Sequence, residues 1–118
     1  MEGDQPSDIV ISCADPLAQS IVARRQRWEE HVRPRHPEVA DQVKAVLATL
    51  EAPDYIVSDV DNPDGLNYYR FAVLPPPYHR LYLKVVVTFQ QFGSNVVGDV
   101  ITAYPTGRIA RGEVQRWP

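Results

Sequence analysis

The sequence contains little cysteine and no long hydrophobic run. Cys13 is its only cysteine, so no disulfide can form within the chain. No apolar run approaches the ~18 residues that a membrane-spanning helix needs. The polar and acidic residues 1–8 do not follow the pattern of a signal peptide. These absences predict a cytoplasmic protein that has no membrane partner.

Signatures of several catalytic classes are missing as well. The sequence has no glycine-rich phosphate loop, no nucleophile elbow and no Cys/His set at the spacing of a metal site. His31 and His36 are five residues apart with Pro34 between them, unlike the i,i+4 histidines of a helical metal site. We therefore expect neither a metal ion nor another cofactor.

The composition is that of an ordinary globular domain. The 118 residues are 44% hydrophobic and 23% charged, which predicts a single domain over residues 1–118 with residues 1–8 disordered. A net charge of −3 does not suit a general nucleic-acid coat. Residues 24–36, however, hold five arginines against two glutamates. This local cationic patch predicts a focused anion site, and its plain alternative is a solvated helix face.

The hydrophobic pattern separates a helical part from a strand-rich part. A short hairpin over residues 9–22 precedes a helix over 24–33, which Pro34 should end. A second helix over 38–51 has an apolar face, made of Val39, Val43, Val46, Leu47 and Leu50. Four strands follow, near residues 55–57, 68–73, 82–89 and 96–104. Because short turns join these strands, we expect an α+β fold in which the N-terminal helices pack on a four-stranded antiparallel sheet.

The segment between the two predicted helices carries groups suited to phosphodiester chemistry. Residues 27–38 include two histidines, three arginines and a tryptophan. Histidine has an ordinary pKa near neutrality, and arginine is a permanent, forked cation. His31 lies beside the face that Trp28 and Val32 should bury, where it can serve as acid or base or simply bond to backbone. His36 has the alternative role of satisfying backbone groups where the second helix begins.

Further cations and hydroxyls lie outside that segment. Arg35, Arg70 and Lys84 are candidate phosphate ligands, and Lys84 is notable because it interrupts an apolar central strand. Its alternative is an outward position on a sheet with one wet face. Strand alternation predicts that the hydroxyls of Thr102 and Tyr104 share one face, although the tyrosines of the chain can equally serve in packing.

Six short motifs occur in an order and spacing that we compare with a known family. They are Arg27-Trp28-x-x-His31-Val32, Arg35-His36-Pro37-Glu38, Pro53-Asp54-x-Ile56, Tyr68-Tyr69, Leu83-x-Val85-Val86-Val87 and Val100-Ile101-Thr102-Ala103-Tyr104. In these motifs the chain resembles small phage- and mobile-element-associated nuclease domains, and the similarity covers roughly residues 8–117. Those domains belong to the superfamily that groups barnase, EndoU-type, colicin-type and RelE-type ribonucleases.

The resemblance implies a fold, an activity and partners. The fold would be an N-terminal helical part on a curved antiparallel sheet of about four strands. The activity would be metal-independent cleavage of RNA by a toxin or a processing enzyme. The implied partners are RNA, in the form of tRNA or ribosome-associated mRNA, and a cognate inhibitor protein. The alternative is an inactive RNA-binding or protein-interaction module of the same fold.

The resemblance also implies site residues. The positions that match the family's polar pattern are His31, Arg35, His36, Thr102 and Tyr104. In the implied reaction the RNA 2′-hydroxyl is the nucleophile, with His31 as base or acid. Arg35 and Lys84 would stabilise the phosphate, Thr102 and Tyr104 would orient it, and Arg70 and His36 would bind substrate. His36, Tyr104 and Glu30 remain open as the second proton-transfer group.

Overall fold

A mixed β-sheet forms the body of the protein. The computed structural model describes residues 8–110 and 114–118, and within them seven strands lie in the order β1-β2-β6-β5-β4-β3-β7. The strands are β1 (Ile9–Ala14), β2 (Ser20–Arg24), β3 (Tyr55–Asp59), β4 (Asn62–Phe71), β5 (Tyr82–Phe92), β6 (Asn95–Thr106) and β7 (Gln115–Trp117). The pair β2–β6 is parallel, and the other neighbours are antiparallel.

The helical part is short and lies between β2 and β3. The first helix, α1, covers residues 25–35 and contains a π-helical turn at Trp28–Val32. Helix α2 is Pro37–Ala40 and helix α3 is Val43–Glu51. Within the described part of the chain, every helix is too short or too polar to cross a bilayer.

Pro34 lies inside α1 and does not end it, contrary to the sequence prediction. In the π-helical turn just before it, the Arg33 N–H reaches back to the Trp28 carbonyl, and this wider turn leaves room for the proline ring. The helix ends instead at His36, whose φ of −135° and ψ of 65° are not helical. The cause is Pro37, because a proline disfavours helical backbone in the residue before it.

The predicted architecture of helices on a curved four-stranded antiparallel sheet is wrong. Strands β3 to β6 do pair antiparallel as expected, and the hairpin of β1 and β2 also forms. That hairpin joins the same sheet, however, through parallel pairing of Ser20–Val22 with Val97–Asp99. The C-terminal strand β7 adds a further edge beside β3. The sequence predicted disorder over residues 1–8. Residues 1–7 lie outside the described residues, and Asp8 is an exposed residue just before β1.

The hydrophobic core lies between one face of the sheet and the helices. On α3, Val46 and Leu50 are fully buried, whereas Val43 and Leu47 are only partly buried against the core. The Trp28 ring is buried, and its Nε1 donates a hydrogen bond of 3.0 Å to the Ala40 carbonyl. This bond ties α1 to α2, so the position of α1 beside the sheet is set by core packing.

We expect Leu50→Ala to destabilise the fold far more than Leu47→Ala. The Leu50 side chain has no solvent exposure, so its truncation leaves a cavity and should lower the free energy of unfolding by about 2–5 kcal/mol. Leu47 is partly exposed and should cost clearly less. Urea unfolding of the two variants measures the difference. An equal or larger loss for Leu47→Ala would show that α3 packs through a different face.

The opposite face of the sheet, which we call the outer face, carries the polar residues of β5 and β6. A bulge in β6 changes the alternation, because Val86 pairs with Thr102 whereas Val87 pairs with Val100. Val100 therefore points into the core, and Thr102 lies on the outer face with Tyr104. Simple alternation would have placed Val100 with them. After β6 the chain crosses this face, where the Ala110 N–H donates to the Tyr69 hydroxyl of β4.

Candidate functional site

The outer face holds a lysine between two tyrosines on neighbouring strands. Lys84 of β5 pairs in register with Tyr69 of β4 and with Tyr104 of β6, so the three side chains form a row across the sheet. The Lys84 Nζ lies 5.5 Å from the ring centroid of Tyr69 and 5.6 Å from that of Tyr104. Such distances are those of cation–π contacts.

The charge of Lys84 is maintained by these neighbours. Burial alone lowers the pKa of the half-buried amine, but hydrogen bonds and charge interactions with the Tyr69 and Tyr104 phenols outweigh it. The net effect raises the pKa of Lys84 above its ordinary value. Lys84 is therefore a fixed cation at neutral pH, partly shielded from water.

An imidazole lies against this row. The ring of His36 stacks on that of Tyr104, with centroids 5.2 Å apart and planes inclined by 27°. The backbone N–H of His36 donates a hydrogen bond to the Val32 carbonyl, and the His36 carbonyl accepts one from the Val39 N–H. These bonds hold the His36 backbone between α1 and α2. The His36 Nδ1 lies 3.6 Å from a carboxylate oxygen of Glu38. His36, Tyr104, Lys84 and Tyr69 thus form one contiguous group, which we call the Lys84 cluster.

Two adjoining grooves lie along the other end of α1. The first has a volume of about 250 Å³ and is lined by Arg24, Gln26, Arg27, Glu30 and His31. The second has a volume of about 280 Å³ and is lined by Arg24, Arg27, Thr88, Gln90, Asp99, Val100 and Ile101. Because Arg24 and Arg27 line both grooves, the two grooves adjoin each other. The carboxylates of Glu30, in the first groove, and Asp99, in the second, accompany the two arginines.

Polar contacts hold the two arginines in place beside β6. The Arg24 Nε is 2.8 Å from Asp99 Oδ1, and the Arg27 Nη1 is 3.4 Å from the Ile101 carbonyl. The residue order places Arg27 beside Ile101 and His36 beside Tyr104, so α1 and β6 run in the same direction. The grooves and the Lys84 cluster therefore follow each other along β6.

Most of the sequence-predicted site residues fall into two groups, one at the Lys84 cluster and one along the first groove. His36 and Lys84 each contact Tyr104, and Thr102 lies on the same face as Tyr104, two residues before it in β6. His31 is exposed and lines the first groove. Glu30 lines that groove too. Arg35 is exposed at the end of α1.

Arg70 belongs to neither group, because it lies on the core side of the sheet. Its pairing with the buried Leu83 puts it opposite from Lys84. Its Nη1 donates to the carbonyls of Ala52, at 3.0 Å, and Ala48, at 3.4 Å. These carbonyls end α3, so Arg70 stabilises the negative end of that helix.

Sequence reasoning did not place Tyr69 beside Lys84, and it assigned no site role to Arg24 or Asp99. The position of Tyr69 beside Lys84 depends on the register between β4 and β5, which the sequence pattern did not define. Arg24 belongs to the basic segment of residues 24–36, but its ion pair joins residues 75 positions apart. No local sequence pattern predicts such a contact.

Reactive thiols and groups of metal-ligating side chains are two other kinds of catalytic site. Burial, reinforced by the charges of Glu51 and Asp15, raises the pKa of the Cys13 thiol to about 11, which does not suit an activated nucleophile. Across residues 8–110 and 114–118, no group of three or more His, Cys, Asp and Glu side chains is arranged to hold a metal ion. No protein-family model matches the chain, and neither a curated protein nor a solved structure proved similar to it.

Proposed function

We propose that this protein is an endoribonuclease that cleaves RNA through attack of a 2′-hydroxyl on the adjacent phosphate. The observation that carries the proposal is the Lys84 cluster: a shielded cation, a phenol and an imidazole in contact on one face of the sheet. The first groove, which holds His31 with Arg24 and Arg27, lies further along α1 from it. The resemblance of the sequence motifs to the barnase, EndoU, colicin and RelE ribonucleases supports the same activity.

The reaction needs groups that this face supplies. A base removes the proton of the 2′-hydroxyl, whose oxygen then bonds to phosphorus. Negative charge grows on the phosphate oxygens, where a fixed cation is most effective. The bond to the 5′-oxygen breaks, and an acid returns a proton to it. The products are a 2′,3′-cyclic phosphate and a 5′-hydroxyl.

The roles follow from position. Lys84 stabilises the phosphate charge, and Tyr104 and Thr102 orient the phosphate from β6. His31, which lines the first groove, and His36, which belongs to the Lys84 cluster, are the proton-transfer groups. Arg35 adds positive charge at the end of α1. Within this proposal the substrate is tRNA or ribosome-associated mRNA, and the protein acts as a toxin that a cognate inhibitor restrains.

We expect the purified protein to cleave total RNA in the presence of EDTA. The new 3′ ends should carry cyclic phosphates and should not be extended by poly(A) polymerase. They should become extendable once acid has opened the cyclic phosphate and a phosphatase has removed the resulting monophosphate. Mapping these ends by sequencing checks the prediction, with ribosomes added in a parallel reaction. Activity that EDTA abolishes would contradict the metal-free mechanism.

The binding-module alternative gives a different outcome in the same samples. A folded protein that leaves RNA intact, yet binds it with an affinity that falls steeply with salt, would be an inactive RNA-binding relative. A protein that neither cleaves nor binds RNA would be a protein-interaction domain.

A further inference from the structure

We infer that the second groove, which Arg24 and Asp99 both line, is a nucleobase subsite that prefers a base with an exocyclic amino group over uracil. The inference rests on the proposed function, because it assigns specificity to the RNA that the Lys84 cluster would cleave. It adds a binding role for Asp99, a residue to which the cleavage mechanism gives none.

The shape and lining of the groove suit a single planar base. Its volume of about 280 Å³ lies just below the ~300–1,000 Å³ of pockets that enclose drug-sized ligands. The partly buried Ile101 offers apolar surface to a ring, and Arg27 offers a guanidinium plane on which a base can stack. Gln90, an exposed amide on β5, adds both a donor and an acceptor at the rim.

Asp99 supplies the selective contact. Its side chain is 21% exposed, so it is accessible from the groove but not fully solvated. A carboxylate accepts about four hydrogen bonds, and Asp99 Oδ1 takes one of them from Arg24. The ion pair holds the carboxylate in one orientation, which reduces the cost of ordering it when a base binds.

The chemistry of a carboxylate determines which bases fit. An ionised carboxylate accepts hydrogen bonds and donates none, so it favours the amino groups of cytosine, adenine and guanine. Uracil presents a carbonyl oxygen where cytosine presents N4–H₂. A uracil bound in the orientation of a cytosine would set its O4 against Asp99, and the carboxylate would repel that oxygen instead of accepting a hydrogen bond from an amino group.

The groove lies at a suitable place relative to the proposed scissile phosphate. Thr88 pairs with Asp99 and Lys84 pairs with Tyr104, so both pairs occupy the outer face four residues apart along β5. At a strand rise of ~3.4 Å per residue, this separation is about 14 Å. A short single strand of RNA running along β6 can reach both positions.

Cytosine and uracil give the sharpest test, because they share one ring size and differ at the amino group. Binding of oligo(C) and oligo(U) pentanucleotides to the wild type is measured by competition with a fluorescent RNA. Cleavage is measured on substrates that carry a single C or U at each position around the cut. We expect a preference of about tenfold to hundredfold for C at one position. Asp99→Asn, which replaces an acceptor by a donor, should remove this preference or reverse it.

Asp61→Asn is the matched control, since it makes the same chemical change on an exposed turn. Equal binding and cleavage of C and U by the wild type would overturn the inference, and so would a preference that survives in Asp99→Asn. If Asp99→Asn does not fold, the comparison of C with U on the wild type decides. A preference for C in binding without any cleavage would keep the subsite and refute the ribonuclease. Cleavage of RNA with no preference between C and U would support the ribonuclease and refute the subsite.

Discussion

Replacing Lys84 by methionine should lower RNA cleavage by about 10²–10³-fold, the loss typical when one group that stabilises a developing oxyanion is removed. Methionine keeps an unbranched chain of similar length between the Tyr69 and Tyr104 rings, so the packing of the outer face is retained. What disappears is the positive charge. Single-turnover cleavage of one RNA substrate by the variant and the wild type measures the effect.

The size of the expected effect follows from the surroundings of Lys84. The ammonium group is half-buried, and charge interactions are stronger there than in bulk water. Because its pKa is raised, the amine keeps its proton through neutral and mildly alkaline pH. A loss of activity at mildly alkaline pH would therefore belong to another group.

Lys44→Met provides the control for Lys84→Met. Lys44 is exposed on α3, on the core side of the sheet, and its loss changes the net charge by the same amount. It should leave cleavage within a few-fold of the wild type. Full activity in Lys84→Met, with an unchanged unfolding temperature, would mean that Lys84 only packs against its tyrosines.

The local parts of the fold were predictable from the sequence because they depend on neighbours in the chain. Apolar alternation located β3, β5 and β6, but it placed β4 near 68–73 whereas that strand is Asn62–Phe71. Helical spacing found the buried Val46 and Leu50 of α3, although the predicted helix over 38–51 is broken between Ala40 and Val43. The parallel pairing of β2 with β6 joins residues some 75 positions apart, and no periodicity encodes it. The three residues of β7 were too few to carry a strand pattern.

The candidate site was predictable to the extent that it depends on residue type. Lys84 was singled out because an apolar strand rarely tolerates a lysine without partners, and the structure supplies Tyr69 and Tyr104. Arg70 was misjudged because its partners are backbone carbonyls of α3, which only the packed structure brings within reach. The bulge near Ile101 likewise arises from sheet packing and moves Val100 to the core.

Removal of either His31 or His36 should lower cleavage by at least about 10²-fold, since transfer of a proton by a side chain typically contributes 10²–10⁴-fold. Attack by a 2′-hydroxyl needs one base and one acid, and these two histidines lie on the segment that borders β6. His36 stacks on Tyr104 beside Lys84, and His31 lines the groove with Arg24 and Arg27. The variants His31→Ala and His36→Ala are compared with His79→Ala, a histidine on the exposed loop before β5.

The dependence of cleavage on pH separates catalysis from a structural role for each histidine. A mechanism with one acid and one base gives a bell-shaped profile, and loss of either group should remove one limb of it. Loss of the acidic limb identifies the base, because that limb reports its deprotonation. The double variant should be little worse than the more damaged single variant, since the two groups act in one step. A single variant that keeps both limbs and the full rate would exclude its histidine from proton transfer and leave Tyr104 or Glu30 as the remaining partner.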